Sequence, residues 1–414
     1  MTTTRFLTRP AQRLRETDPI LRGLLASTLV GTVGRGLFFT LSVIYFTRVV
    51  GIDALTVGLG LTVAGGVGVV ASFAGGYLAD AIGARRLLVA GTVVMGLGLV
   101  GYAFVGTVAW YVGVACIVVG SQNAASSARS ALLARAFVGP ARVSARATMR
   151  VVTNVGIALG TAVGGVALLV DSGPFYRGAL IVGGLLYLSS VIALLRLPYV
   201  DPPRAPRRRG EVVPGRSPLR DRRYLAVTVL GAVTTMQFGL FEVGVPVWVS
   251  QRTEAPTAVV SVLLLTNTAI VIALQIPLSR GARDVGGAGR ASLVGGGLMV
   301  VACALWAAAA VGTPVVAVLV LLAAAAAHSL AEVYLAAGGW GLGFELADPE
   351  RAGAYQGVFG TGGAIGAMLA PLVVTQTAIG LGTPGWVILA SLFAASGLGL
   401  WIVARRASSI GAAP

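Results

Sequence analysis

Apolar runs of about 20 residues recur along almost the whole chain, and that is the length a helix needs to cross a hydrocarbon core. Hydropathy draws twelve of them. In the first half they run 24–47, 55–78, 87–107, 110–133, 148–169 and 178–197; in the second, 224–249, 257–278, 291–311, 315–338, 353–377 and 385–404. No alternating strand pattern accompanies them, so helices are the expected spanning elements. Charged residues make up 11% of the chain, against roughly a quarter in soluble domains. The expected class is an all-α integral membrane protein with twelve transmembrane helices.

The formal charge of +16 does not point to nucleic acid, because its placement follows membrane orientation. Arg48, Arg177 and Arg252 lie on one side, Arg35 falls within a span, and the rest of the 31 basic residues, all arginine, gather in the other loops and span ends. Positive charge stays inside, so both termini are expected in the cytoplasm of a cell inner (plasma) membrane protein. A basic arm (Arg5, Arg9, Arg13, Arg15, Arg22) precedes a first run too long for a signal-peptide core, which is read as a retained span. Between the halves lies "RLPYVDPPRAPRRRGEVVPGRSPLRDRR", rich in Pro and Arg and unfit for lipid. The expected division is an N-terminal six-helix bundle over 1–197, a basic cytoplasmic linker over 198–223 and a C-terminal bundle over 224–414. Cys116 and Cys303 both fall within spans and read as packing residues.

The halves repeat each other. "GLF" at 36–38 returns at 239–241, and D-x-x-G-A-x-R occurs as "DAIGARR" from Asp80 and "DVGGAGR" from Asp284. Two matches in register with the hydropathy indicate a six-plus-six duplication, a transporter architecture.

The stretch "GGYLADAIGARRLLV" resembles the loop 2–3 signature of the major facilitator superfamily, with Gly76, Leu78, Asp80, Gly83 and Arg85 matching. Ala81 and Ala84 replace two basic positions, and Arg86 adds one. "GIALGTAVGG" in the fifth span is similar to the signature of that superfamily's drug:proton antiporters. Gly156, Gly160, Gly164 and Gly165 match, while Thr161 stands where proline is usual. The fourth span lacks the basic signature, since Cys116 occupies the arginine position before Gly120. The resemblance implies two pseudo-symmetric six-helix bundles around a central cavity lined by spans one, four, seven and ten. It also implies a conformational gating role for Gly76, Asp80, Gly83, Arg85, Arg86 and the four span-five glycines. Physically, Asp80 can pair with Arg85, Arg86 or a neighbouring helix N-terminus, and glycines at every fourth position allow close helix approach.

Ionisable groups inside a span are costly and become functional candidates. Arg35 sits in a polar stripe with Thr28, Thr32 and Ser42, able to hold an anionic group or a carboxylate of the other half. Glu242 precedes Pro246 by one turn and is a candidate proton carrier. His328 and Glu332 share one helix face, as a proton relay, as a His that satisfies a buried Glu, or as two ligands of a metal site lacking companions. Proton coupling is thus assigned to Glu242, Glu332 and His328. Arg35, Phe38, Phe39, Asn123, Asn154, Gln237, Phe241, Asn267 and Tyr334 are the candidate cavity residues, with Gln122, Gln275 and Trp248 beside them; amides can equally glue helices together.

The leading expectation is a proton-coupled secondary transporter, exporting small, largely apolar or amphipathic compounds by alternating access. The alternatives are a proton-coupled symporter importing a small anionic metabolite with Arg35 as its anchor, a membrane enzyme built on His328 and Glu332, and a receptor without flux. No Gly-rich nucleotide loop is present. Neither catalytic residues, nor metal, nor cofactor, nor nucleic-acid partner is expected; the partners are a small-molecule substrate, protons and the lipid bilayer, and the chain is expected to be a monomer.

Overall fold

The computed structural model describes residues 18–170, 172–198 and 216–411, and among these the chain is helical with no strand. The N-terminal arm beyond Arg22 and most of the linker therefore lie outside the described residues. Twelve helices are long and apolar enough to span a membrane. They are α1 (Pro19–Ser42), α2 (Leu55–Ile82), α3 (Ala84–Phe104), α4 (Val108–Ala136), α5 (Pro140–Val170), α6 (Gly173–Leu195), α7 (Arg222–Arg252), α8 (Val259–Ser279), α9 (Val285–Ala308), α10 (Pro314–Glu345), α11 (Pro349–Ile379) and α12 (Thr383–Ser409). The protein is an all-α, multi-pass membrane protein.

Helix starts follow local chemistry. Asp18, Asp53, Thr107, Asp221, Asp284 and Thr313 each accept a backbone N–H from the first turn they cap. Gly83, at φ +97°, joins α2 to α3 without a loop. Alpha-helical bonding relaxes to a wider turn at Leu240–Gly244 in α7, where Val245 N–H bonds Leu240 O, just before Pro246. Such a turn accommodates a residue that lacks an amide hydrogen, and it carries Glu242.

Helices α1–α6 and α7–α12 form two halves. They meet where α2 and α4 pack on α11 and where α5 packs on α8 and α10. Near the helix ends that the linker joins, termed the linker face, one hydrophobic core crosses the seam: Leu24, Ala79, Leu133 and Met149 pack with Phe344 and Ala352. Toward the opposite face each half keeps its own core, one around Tyr45, Phe46 and Tyr111, the other around Trp248, Trp306 and Trp386. The halves are thus packed together at the linker face, with polar cavities further along the seam.

Candidate functional site

The seam carries an ion pair. Helix α5 is unbroken over 31 residues, so Arg146 and Arg150, one turn apart, project from one face toward the other half. The Arg150 guanidinium pairs with Glu332 of α10, which is 5% exposed. The second oxygen of Glu332 accepts from Asn267 Nδ2 of α8 at 2.9 Å, and the same amide reaches Ser329 Oγ at 3.1 Å. Arg150 also lies over the rings of Phe238 and Trp340, 4.9 and 5.8 Å from their centroids, and Arg146 over Trp340 at 5.8 Å. Arg146 donates to Ser130 Oγ at 3.0 Å. A cavity of about 300 Å³ opens here, lined by Arg129, Arg146, Arg150, Thr153, Asn154 and Trp340 among others.

A second, smaller chamber of about 110 Å³ adjoins it inside the first half, between α1, α4, α5 and α6. Ser126, Arg129 and Thr153 line both. Arg35, Gln122, Thr28 and Tyr187 complete much of its wall. The Nε atoms of Arg35 and Arg129 and the Thr28 hydroxyl are buried and have no hydrogen-bond partner among the described residues. Arg35 rests over the exposed ring of Phe39 at 4.9 Å. Glu242 makes no hydrogen bond or ion pair among the described residues, yet lies within electrostatic range of Arg35 and Glu332. Guanidinium groups can hold anions and a carboxyl can exchange a proton.

His328 does not join that network. It is fully buried, and its Nε2 bonds Gln237 Oε1 of α7 at 2.8 Å. Because that oxygen only accepts, the imidazole carries its hydrogen on Nε2. The ring packs on Phe241, with centroids 4.9 Å apart, and on Trp306 at 6.4 Å. The expected relay contact to Glu332 is replaced by Arg150 and Asn267.

At the linker face, Asp80 near the end of α2 accepts from the backbone N–H of Gly353 at 2.8 Å and Ala354 at 2.7 Å, in the first turn of α11, and pairs with Arg135 of α4. Of the partners foreseen for Asp80, the helix N-terminus is the one found. Arg85 instead donates to the carbonyls of Leu194 and Leu195, and Arg86 is exposed. A Cβ on Gly76 would sit 2.5 Å from Gly357 Cα, so this crossing of α2 and α11 requires glycine. Arg142 and Glu345 add a second tie across the seam, at 3.6 Å.

The profile of the Major Facilitator Superfamily matches residues 24–371. The chain belongs to this superfamily. It is a secondary transporter, and this membership points away from an enzyme. Among solved structures it resembles the human organic anion transporter MFSD10 (TETRAN), with 17% identity, TM-score 0.72 and coverage of 92% of this chain and 99% of that one. It also resembles FucP in the outward conformation, with 13% identity, TM-score 0.68 and coverage of 93% and 98%. A bacterial homologue of the iron transporter ferroportin in its outward-facing state gives 13%, 0.70, 94% and 99%. At these identities the likeness establishes the fold. No curated protein matches the chain.

Within this superfamily fold the candidate residues divide. Glu332, Asn267, Asn154, Arg35 and Phe39 border or brace the two chambers. The aromatic candidates Phe38, Phe241, Trp248 and Tyr334 do not gather at the cavity, because rotation about each helix axis sends them into different cores. Phe38 stacks on Tyr102, Phe241 and Trp248 pack into the second half, and Tyr334 joins α7, α9 and α12 nearer the linker face. Asn123 donates to Val119 O of its own helix, Gln237 serves His328, and Gln275 serves Ser279. On α5, Gly156, Gly160 and Gly164 admit α1 at Thr32, Val33 to Leu37, and Thr40, whereas Gly165 faces open space.

Arg129, Arg146 and Arg150 were missed. They read as positive-inside charges at span ends, and Arg146, with Arg142 beside it, depresses the hydropathy window enough to begin span five at 148 rather than 140. Their four-residue spacing, 142, 146 and 150, was the available signal.

Proposed function

We propose that this transporter carries a small organic anion together with a proton by alternating access. The observation that supports this most is the Arg150–Glu332 pair, set beside two further guanidiniums that no carboxylate among the described residues holds. When Glu332 is ionised it occupies Arg150. When it is protonated, Arg150 is free to bind an anion alongside Arg129 and Arg146. Proton and anion therefore strengthen each other's binding, and the effect is reciprocal. Cooperative loading from one side is symport; antiport needs the two ligands to compete.

This favours the anionic alternative over export of a largely apolar compound, which the α5 glycines suggest. A neutral cargo leaves the buried guanidiniums without a partner, and that is costly. With the linker face closed and the termini in the cytoplasm, cargo loads from outside, so an inward proton gradient drives uptake. The structurally similar human protein is described as an organic anion transporter, the same class of cargo.

Proteoliposomes with an imposed acid-outside gradient test the reading. Accumulation of an organic anion with alkalinisation of the outer medium is expected. Transport of a neutral or cationic compound with outer acidification instead would return the protein to the drug antiporters.

A further inference from the structure

The charge of that anion can also be read. Four guanidiniums, of Arg35, Arg129, Arg146 and Arg150, line two chambers joined at Ser126, Arg129 and Thr153. Two acids are near them: Glu332, bonded to Arg150, and the exposed Glu242, in electrostatic range of Arg35. The neighbouring acids at the linker face are already taken, Asp80 by Arg135 and Glu345 by Arg142. Among the described residues, two cationic charges thus lack a carboxylate counterpart with both acids ionised, and three once Glu332 is protonated.

Their distribution matters as much as their number. The outer cavity of about 300 Å³ presents Arg146 and Arg150. The inner chamber, of about 110 Å³, is the smaller of the two and suits a compact group. Its walls already offer donors that nothing satisfies: Nε of Arg35, Nε of Arg129 and the hydroxyl of Thr28, a residue 2% exposed. Buried donors without acceptors are rare and costly, so the inner chamber is built for an acceptor-rich group.

We propose that the cargo is a short dianion, with one acidic group held by Arg146 and Arg150 in the outer cavity and the other held by Arg35 and Arg129 in the inner chamber. The inference rests on the anion reading above and adds the second charge and the place that receives it. Protonation of Glu332 frees Arg150 for the outer group; the inner group finds its donors free in both states.

The test uses the purified full-length transporter and thermal unfolding with α,ω-dicarboxylates and ω-phosphonocarboxylates of two to six carbons, each beside its half-ester and its neutral diester. At least one dianion is expected to stabilise the protein, with its half-ester binding at least tenfold more weakly. Arg35→Gln is expected to bring a dianion and its half-ester to equal affinity. Equal binding of a dianion and its half-ester by the unaltered protein overturns the dianion and leaves the anion reading standing, and so does half-ester binding that requires added chloride. Stabilisation by the diesters alone, or by none of the series, overturns both.

Discussion

Arg150 on α5 and Glu332 on α10 meet across the seam between the two halves, the arginine side chain 17% exposed and the glutamate 6%. Removing one member of such a buried pair leaves the other uncompensated, at a cost of about 3–5 kcal/mol. Glu332→Gln and Arg150→Gln should each lower the unfolding temperature markedly. The double variant should recover much of the loss, and a double-mutant cycle measures the coupling. Simple additivity of the two losses contradicts the pairing.

Asp80 ties α2 to α11 of the other half through two backbone N–H groups, and pairs with Arg135 of its own half. Charged hydrogen bonds contribute about 1.5–3 kcal/mol each. Asp80→Asn should therefore shift the balance of conformations toward an open linker face by roughly ten- to a hundredfold, read as labelling of a cysteine placed in the seam. Among the described residues its repeat counterpart Asp284 accepts only from Gly287 N–H of its own helix start, at 2.6 Å. Asp284→Asn should leave that labelling unchanged.

The α1–α5 crossing distinguishes two glycines of one motif. A Cβ on Gly160 would lie 2.8 Å from Leu37 N and 2.9 Å from Gly36 Cα, whereas one on Gly165 meets nothing within 4 Å. Gly160→Val should destabilise by about 1–3 kcal/mol through overpacking, or prevent assembly, while Gly165→Ala stays near neutral. Comparable losses in thermal unfolding at both sites contradict this packing.

His328 bonds Gln237 and, among the described residues, has no hydrogen bond to the Arg150–Glu332 pair. His328→Asn should cost about 1–3 kcal/mol in stability through the orphaned amide, yet retain proton-driven accumulation. Loss of coupling with stability intact would make the histidine a relay after all.

Much of the fold was legible in the sequence because spanning a bilayer imposes length and apolarity directly on the residues. Hydropathy located all twelve helices, and the D-x-x-G repeat marked corresponding positions whose roles nonetheless differ: Asp80 reaches the other half, Asp284 its own helix. Glu332 and Arg35 stood out because charge is rare inside a span. Arg129, Arg146 and Arg150 did not, since an arginine near the end of an apolar run looks the same whether it meets water or a cavity. What separates those cases is which way the helix is turned and what packs on it, and so it was with Phe38, Phe241 and Tyr334. Side-chain direction belongs to the assembled bundle.

The most direct test of the account is transport by Glu332→Gln in proteoliposomes, comparing anion accumulation under an acid-outside gradient with anion exchange at equal pH. Freed of its carboxylate partner, Arg150 should bind the anion at any pH, so exchange should persist while gradient-driven accumulation disappears. Accumulation at the unaltered level would contradict the assignment of proton coupling to the Arg150–Glu332 pair.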